Sequence, residues 1–239
     1  MGQENFKLRG VRLEPYFQLY KNLDDEDARE GEILTRLESG QSAFEFIAQL
    51  DSFEHFLLLE WLIEQSEFLK EEFNLQSSIN VDNSAIFSPM GQAQFLRISE
   101  KGVPGTTFEF TETNALPPSG EINKLFLGLR QNGHVTALDD FGSGLNGMTM
   151  LTDYDFDVVK IDRMLTMDLG QRTAKVKVLS LLFEMLTALN KSHVVEVYES
   201  SESFELMANA GYRVFQSFQF YKPVPFSELG QVLIRKVKQ

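Results

Sequence analysis

The chain has no cysteine among its 239 residues. Disulfides and thiolate metal sites are therefore excluded, and a reducing compartment is consistent with the composition. Positive charge is scarce: 22 lysines and arginines stand against 35 aspartates and glutamates, a net charge of −13. A binder of nucleic-acid polymer needs a basic surface, so that class is set aside. A small phosphate ligand stays open wherever metal ions or a few local cations offset the repulsion. Long apolar runs are missing as well. The stretches at 57–63 and 179–189 are interrupted by Glu60 and Glu184 and are too short to span a bilayer. Residues 1–6 lack the apolar centre of a signal peptide, and Phe6 stands where a myristoylation signal wants Ser or Thr. The expectation is a soluble, cytoplasmic protein with no membrane attachment.

What is present suffices for a core. Hydrophobic residues make up 43% of the chain, including 21 phenylalanines, which argues against disorder. The length is close to the roughly 250 residues of an eight-fold β/α barrel. Strands are expected at 13–20, 31–37, 77–81, 107–112, 135–140, 158–162, 194–199 and 213–216. Helices are expected at 51–73, from Ile122 to a stop at Gly133, and along the stripe from Val178 to Leu189. A further helix is capped by Ser200 or Ser201 and closed by Gly211, and a basic helix ends the chain. The acidic run at 24–27 reads as a solvated turn. No linker or repeat divides the chain, so residues 1–239 are expected to form one α/β domain around a parallel sheet with crossover connections. His55, His134, His193 and Trp61 read as structural.

The chemistry gathers at strand ends. Val135-Thr136-Ala137-Leu138-Asp139-Asp140-Phe141-Gly142-Ser143-Gly144 reads as a buried strand ending in two carboxylates and a glycine-punctuated loop. Alternation would point Asp139 and Asp140 to opposite sides unless the chain turns at once, which the glycines permit. Alone, the pair reads first as a solvated strand terminus. It is not alone. Glu32, Asn80, Glu109, Lys160, Glu196 and Gln216 also stand at or near the ends of expected strands. Parallel strands in a barrel bring those ends around one mouth. Crowded carboxylates repel and take up protons unless compensated, and hard oxygen ligands suit Mg²⁺ or Mn²⁺.

In this order the motifs resemble the EAL domain, the bacterial family of cyclic di-GMP phosphodiesterases. Gly31-Glu32-Ile33-Leu34-Thr35-Arg36 stands at the family's signature, Ile79-Asn80-Val81 at its asparagine strand, and Phe108-Glu109-Phe110-Thr111-Glu112 at its Glu-Leu-Thr-Glu element. The aspartate pair, Val159-Lys160-Ile161-Asp162-Arg163, Val195-Glu196-Val197-Tyr198-Glu199 and Phe215-Gln216-Ser217-Phe218 complete the series. The resemblance implies a modified (β/α)8 TIM-type barrel with its site at the C-terminal strand ends. It implies one metal on Glu32, Asn80, Glu109 and Asp139, and a second near Asp140 bridged by Asp139. Glu196 would be ligand or proton acceptor at the second metal. Lys160 would orient the attacking water or offset phosphate charge, and Glu199 and Gln216 would complete the shell. Glu112 would anchor the loop after Phe141, while Gln18 and Arg36 would contact the nucleotide. The implied reaction is hydrolysis of cyclic di-GMP to linear pGpG by a water activated by two Mg²⁺ or Mn²⁺ ions, in a homodimer.

Several positions depart from the family pattern: Leu19, Ile33, Val197, Ser217 and the loop 143–147. Val197 and Ser217 replace glycines, which predicts a displaced backbone beside Glu196 and Gln216. The alternative reading is therefore a non-catalytic member, acting as a cyclic di-GMP receptor or as an adaptor for a protein partner.

Overall fold

The computed structural model describes residues 6–27, 29–111, 115–143, 147–197 and 200–236. The expected alternation of strands and helices becomes one 11-stranded sheet. Its main strands are β1 (Val11–Leu19), β2 (Glu30–Leu37), β3 (Gln76–Val81), β4 (Thr107–Phe110), β5 (Val135–Phe141), β6 (Val158–Ile161), β7 (Ser192–Glu196) and β8 (Val214–Gln216). They neighbour one another in chain order. From β2 to β8 each pairing is parallel.

The expectation of a uniformly parallel sheet is corrected at its first strand. β1 runs antiparallel to β2, with Gln18 opposite Glu32. The cause is the connection, which is a short acidic turn rather than a helix. A parallel crossover needs a dozen or more residues. After one intervening residue, Tyr20, Lys21–Asn22 pairs antiparallel with β8, so the two ends of the sheet are joined through the chain itself and the barrel closes. Val224–Pro225 then returns to pair with β1.

Strands covered on both faces need apolar side chains throughout, and Ile79, Phe108, Phe110, Leu138, Val159, Ile161, Val195 and Phe215 are fully buried. Around them lie α1 (Ala43–Ile47), α2 (Ser52–Phe73), α3 (Pro89–Ser99), α4 (Ser119–Gln131), α5 (Thr149–Asp153), α6 (Arg163–Thr166), α7 (Thr173–Ala188), α8 (Ser201–Asn209) and α9 (Leu229–Lys236). The longest, α2, starts with a reciprocal cap: Asp51 accepts from Glu54 N–H, and the Glu54 carboxylate accepts from Asp51 N–H. It stops where Asn74 takes a left-handed conformation. His134 faces the Ser99 carbonyl and the Phe108 ring, and His193 packs between Phe183 and Tyr212, as expected of structural histidines. Among the described residues, no helix is long and apolar enough to cross a membrane.

Candidate active site

Strand register sets the first layer of the site. Gln18 is the cross-strand partner of Glu32, Asn80 of Glu109, and Gln216 of Glu196. Side chains at matched positions on neighbouring strands point to the same face, so these three pairs line one level of the barrel interior. Glu32, Glu109 and Lys160 are almost fully buried there.

Asp139 and Asp140 reach that level by a local irregularity. The β5–β6 register slips between Leu138 and Phe141, and Asp140 has a φ of +56°. The left-handed residue cancels the alternation that would send the two carboxylates apart. The turn thus begins at Asp140 itself, ahead of the glycines. Gly142 continues it with a φ of +100°, and a Cβ there would lie 2.3 Å from Leu165 Cδ1. Oxygens of Asp139, Asp140 and Glu196 all fall within 4.8 Å of one another.

The centre of the cluster is a cation. Lys160 Nζ donates to Glu109 Oε2 at 2.7 Å and to Glu32 Oε2 at 3.3 Å, and it lies 2.9 Å from Asp139 Oδ1 and 3.8 Å from Glu196 Oε1. Glu32 is further held by Asn80 Nδ2 at 2.5 Å and Gln216 Nε2 at 2.7 Å. These donors, with Lys160, offset the burial that would otherwise protonate Glu32, and its carboxyl lies below the usual range. The other acids are less compensated. Burial raises Glu109 well above the ordinary range despite Lys160, and raises Asp139 also. Burial, then the Asp139 charge, pushes Asp140 up to about 7. Burial pushes Glu196 up to about 8, with Lys160 opposing and Asp139 adding.

Five carboxylates against one ammonium leave an excess of negative charge that a hard cation would relieve. One buried oxygen supports such a fit: among the described residues Gln216 Oε1 accepts no hydrogen bond, while Asp139 Oδ1 has the Lys160 ammonium at 2.9 Å. The Asp139–Asp140–Glu196 group is an all-oxygen set of the kind Mg²⁺ and Mn²⁺ prefer. Glu32 and Glu109 instead share Lys160.

A cavity of about 340 Å³ opens onto this cluster. Asn80, Asp139 and Asp140 form its polar end, Ile33, Phe44, Phe56 and Leu59 supply apolar wall, and Arg36 stands exposed along it. Gln18, expected against a nucleotide, has both ends of its amide engaged: it donates to the Tyr221 carbonyl and accepts from Gln216. Glu112, Glu199 and residues 144–146 of the loop lie outside the described residues.

Val197 and Ser217 sit without backbone strain. Neither residue has a positive φ, and Val197 N–H donates to the Gln216 carbonyl at 3.0 Å. Valine is tolerated because no glycine-only angle is needed there. Tyr20 is what sequence reasoning missed. Its hydroxyl reaches Glu109 Oε1 at 3.3 Å. The available signal was its i+2 spacing from Gln18, which in a strand means the same face.

The model of the EAL domain family matches residues 3–223. The chain belongs to the EAL domain family. Among its relatives, the Probable cyclic di-GMP phosphodiesterase PdeG of Escherichia coli K12 is 29% identical over 174 residues, 71% of this chain and 34% of that protein. This EAL chain therefore spans about a third of that relative's length. A stand-alone EAL protein from Vibrio cholerae O395, solved with cyclic di-GMP bound, superposes with a TM-score of 0.77 at 23% identity, over 91% of this chain and 94% of that one. Klebsiella pneumoniae BlrP1, solved with manganese and cyclic di-GMP, gives 0.74 at 22% identity, over 92% and 58%. These two likenesses establish the EAL fold, a TIM-like barrel.

The raised acids make a pH prediction for the metal-free protein. From its ordinary value of 4.5 to about 8, folded Glu196 keeps a proton that the unfolded chain has released. The folded state then binds more protons, so stability falls as pH rises through that window, and Asp140 acts in the same direction up to about 7. A divalent cation must displace those protons and should bind more tightly at the alkaline end. Melting in chelator should decline from about pH 5 to about pH 8, and Mn²⁺ should raise the midpoint more at the higher pH. A flat profile in both series would mean that Asp140 and Glu196 are already ionised.

Proposed function

We propose that this EAL domain is a metal-dependent phosphodiesterase that opens one ester bond of cyclic di-GMP to give linear pGpG. The observation that carries the reading is the set of four carboxylates around Lys160, joined through Asp139 and Asp140 to the polar end of a cavity whose wall is otherwise largely apolar. The named activity of PdeG supports the substrate, and the manganese in BlrP1 supports the cofactor.

Asp139, Asp140 and Glu196 would hold one Mg²⁺ or Mn²⁺, and Glu32, Asn80 and Glu109, with Asp139, a second. Bound there, such ions would lower the pKa of water and neutralise charge on the phosphoryl oxygens. Everything else falls to the chain's own groups. Glu196, whose carboxylate lies with those of Asp139 and Asp140, would serve as ligand or proton acceptor there. Lys160 holds Glu32, Glu109 and Asp139 in place and favours their charged forms against burial, so the site is organised before substrate arrives. Gln216 fixes Glu32, and Gln18 fixes Gln216. Arg36, exposed along the cavity, offers a planar donor fork to a phosphate. The apolar wall suits the faces of guanine bases. Glu199 and Glu112 are assigned to the shell and to the loop anchor on family resemblance, as are the homodimer and the cytoplasmic location.

The test is direct. Purified protein with Mn²⁺ or Mg²⁺ should convert cyclic di-GMP to pGpG, followed by chromatography. If neither metal supports turnover in a sample that binds the nucleotide by calorimetry, the protein is a receptor. If it does not bind the nucleotide either, the adaptor reading takes its place.

A further inference from the structure

We propose that Tyr20 is a positioning residue for Glu109, setting the orientation of that carboxylate for cation binding from beneath the site. The inference rests on the metal-dependent reading above.

Tyr20 follows β1 directly, and its N–H continues the β1–β2 ladder by donating to the Glu30 carbonyl at 2.9 Å. It lies two positions after Gln18, so its side chain projects to the same, interior face. Because β1 runs opposite to the other strands, that step leads away from the mouth and into the barrel. Ser78 stands in the same relation to Asn80 on β3. Tyr20 and Ser78 thus form a layer one step below the acids, and both are buried.

Counting protons assigns the direction of the contacts. The phenol has one hydrogen and keeps it at neutral pH, its ordinary pKa being about 10. Tyr20 Oη lies 3.3 Å from Glu109 Oε1 and 2.9 Å from Ser78 Oγ. A carboxylate only accepts, while a serine hydroxyl does either. With Glu109 ionised, as cation binding requires, Tyr20 donates to it, and the single Ser78 proton goes to Tyr20 at 2.9 Å in preference to the Gly31 carbonyl at 3.4 Å. The other oxygen of Glu109 takes the Lys160 ammonium at 2.7 Å. With one donor on each oxygen, the carboxylate plane is fixed. Without the phenol hydroxyl, Oε1 would be buried with no donor among the described residues, and the group could rotate about its last bond.

Groups that orient metal ligands typically cost about 10–100-fold in affinity or activity when removed. Tyr20→Phe keeps the ring and should weaken Mn²⁺ binding by about tenfold. Binding is read on the nucleotide-free protein by titrating free Mn²⁺ with electron paramagnetic resonance. The melting midpoint in chelator should stay within a few degrees, and turnover should fall through kcat with KM for cyclic di-GMP within about twofold. A purely structural role would leave the Mn²⁺ affinity unmoved. Ser78→Ala, which removes the hydrogen bond orienting the phenol, should act in the same direction by about two- to threefold, and it serves if Tyr20→Phe does not fold. Unchanged Mn²⁺ affinity in whichever folded variant is measured overturns the inference, whatever happens to activity, as does a wild-type protein that binds no Mn²⁺. A wild type that binds Mn²⁺ but hydrolyses nothing, with the affinity shift present, leaves the positioning role standing and sinks the phosphodiesterase reading.

Discussion

A Lys160→Met protein is expected to lose about 3–5 kcal/mol of stability, the typical cost of removing one partner from a buried ionic cluster. For a chain of this size that corresponds to a melting midpoint lowered by on the order of 10 °C. The methionine fills the space, so the loss is electrostatic rather than a packing defect. Glu32, Glu109 and Asp139 would face one another without the ammonium that now lies within 3.3 Å of all three. Two conditions should soften the loss. Lowering the pH protonates the stranded acids, and Mn²⁺ at a hundred times its dissociation constant returns about 2.7 kcal/mol by mass action. Turnover should be abolished under all of them. Differential scanning fluorimetry in chelator, in Mn²⁺ and at about pH 5 separates these arms. A variant melting with the wild type in chelator would show that Lys160 is not the structural counter-ion.

Asp139→Asn should separate stability from activity in the opposite sense. The change is isosteric and removes one negative charge from a site that has an excess of them. Metal-free stability should therefore hold or rise, because Glu109, Asp140 and Glu196 lose a repelling neighbour. Mn²⁺ affinity and turnover should both fall, turnover by at least about 100-fold, since a ligand should cost no less than the groups that orient one. Chromatography of pGpG against time, beside melting curves in chelator, reads both signs. Turnover near the wild-type rate would remove Asp139 from the metal site.

Much of this arrangement was legible in the residues because barrels turn chain order into spatial order. Once strands ending in Glu32, Asn80, Glu109, Lys160, Glu196 and Gln216 are recognised, parallel pairing places their ends together. Three features resisted. The helix α3 was absent from the expectation: its segment carries proline, glycine and glutamines, and only Gly91, Phe95, Ile98 and Ser99 are buried. The reversal of β1 depends on the length of a turn, not on the apolar pattern of the strand. The bulge at Asp140 is hard to place locally, because aspartate tolerates a left-handed conformation but either member of the pair could have taken it. Val197 carries no strain for the converse reason. A family glycine suggested an angle that the backbone here does not use.

The seam of the barrel has a consequence for how the protein is made. Gln18 meets Gln216 across 198 positions of sequence and the Tyr221 carbonyl across 203. Lys21–Asn22 waits for β8, and β1 waits for Val224–Pro225. Contacts between the two ends of a chain are the slowest to form, because their loop-closure entropy is met before any reward. During synthesis the acids of β2, β4 and β5 emerge well before the strand that carries Gln216. An incomplete chain therefore holds unclosed sheet edges and an unfinished site until its last strands arrive. Activity and folding would then be completed by the same late event, the docking of the C-terminal segment onto the first strand.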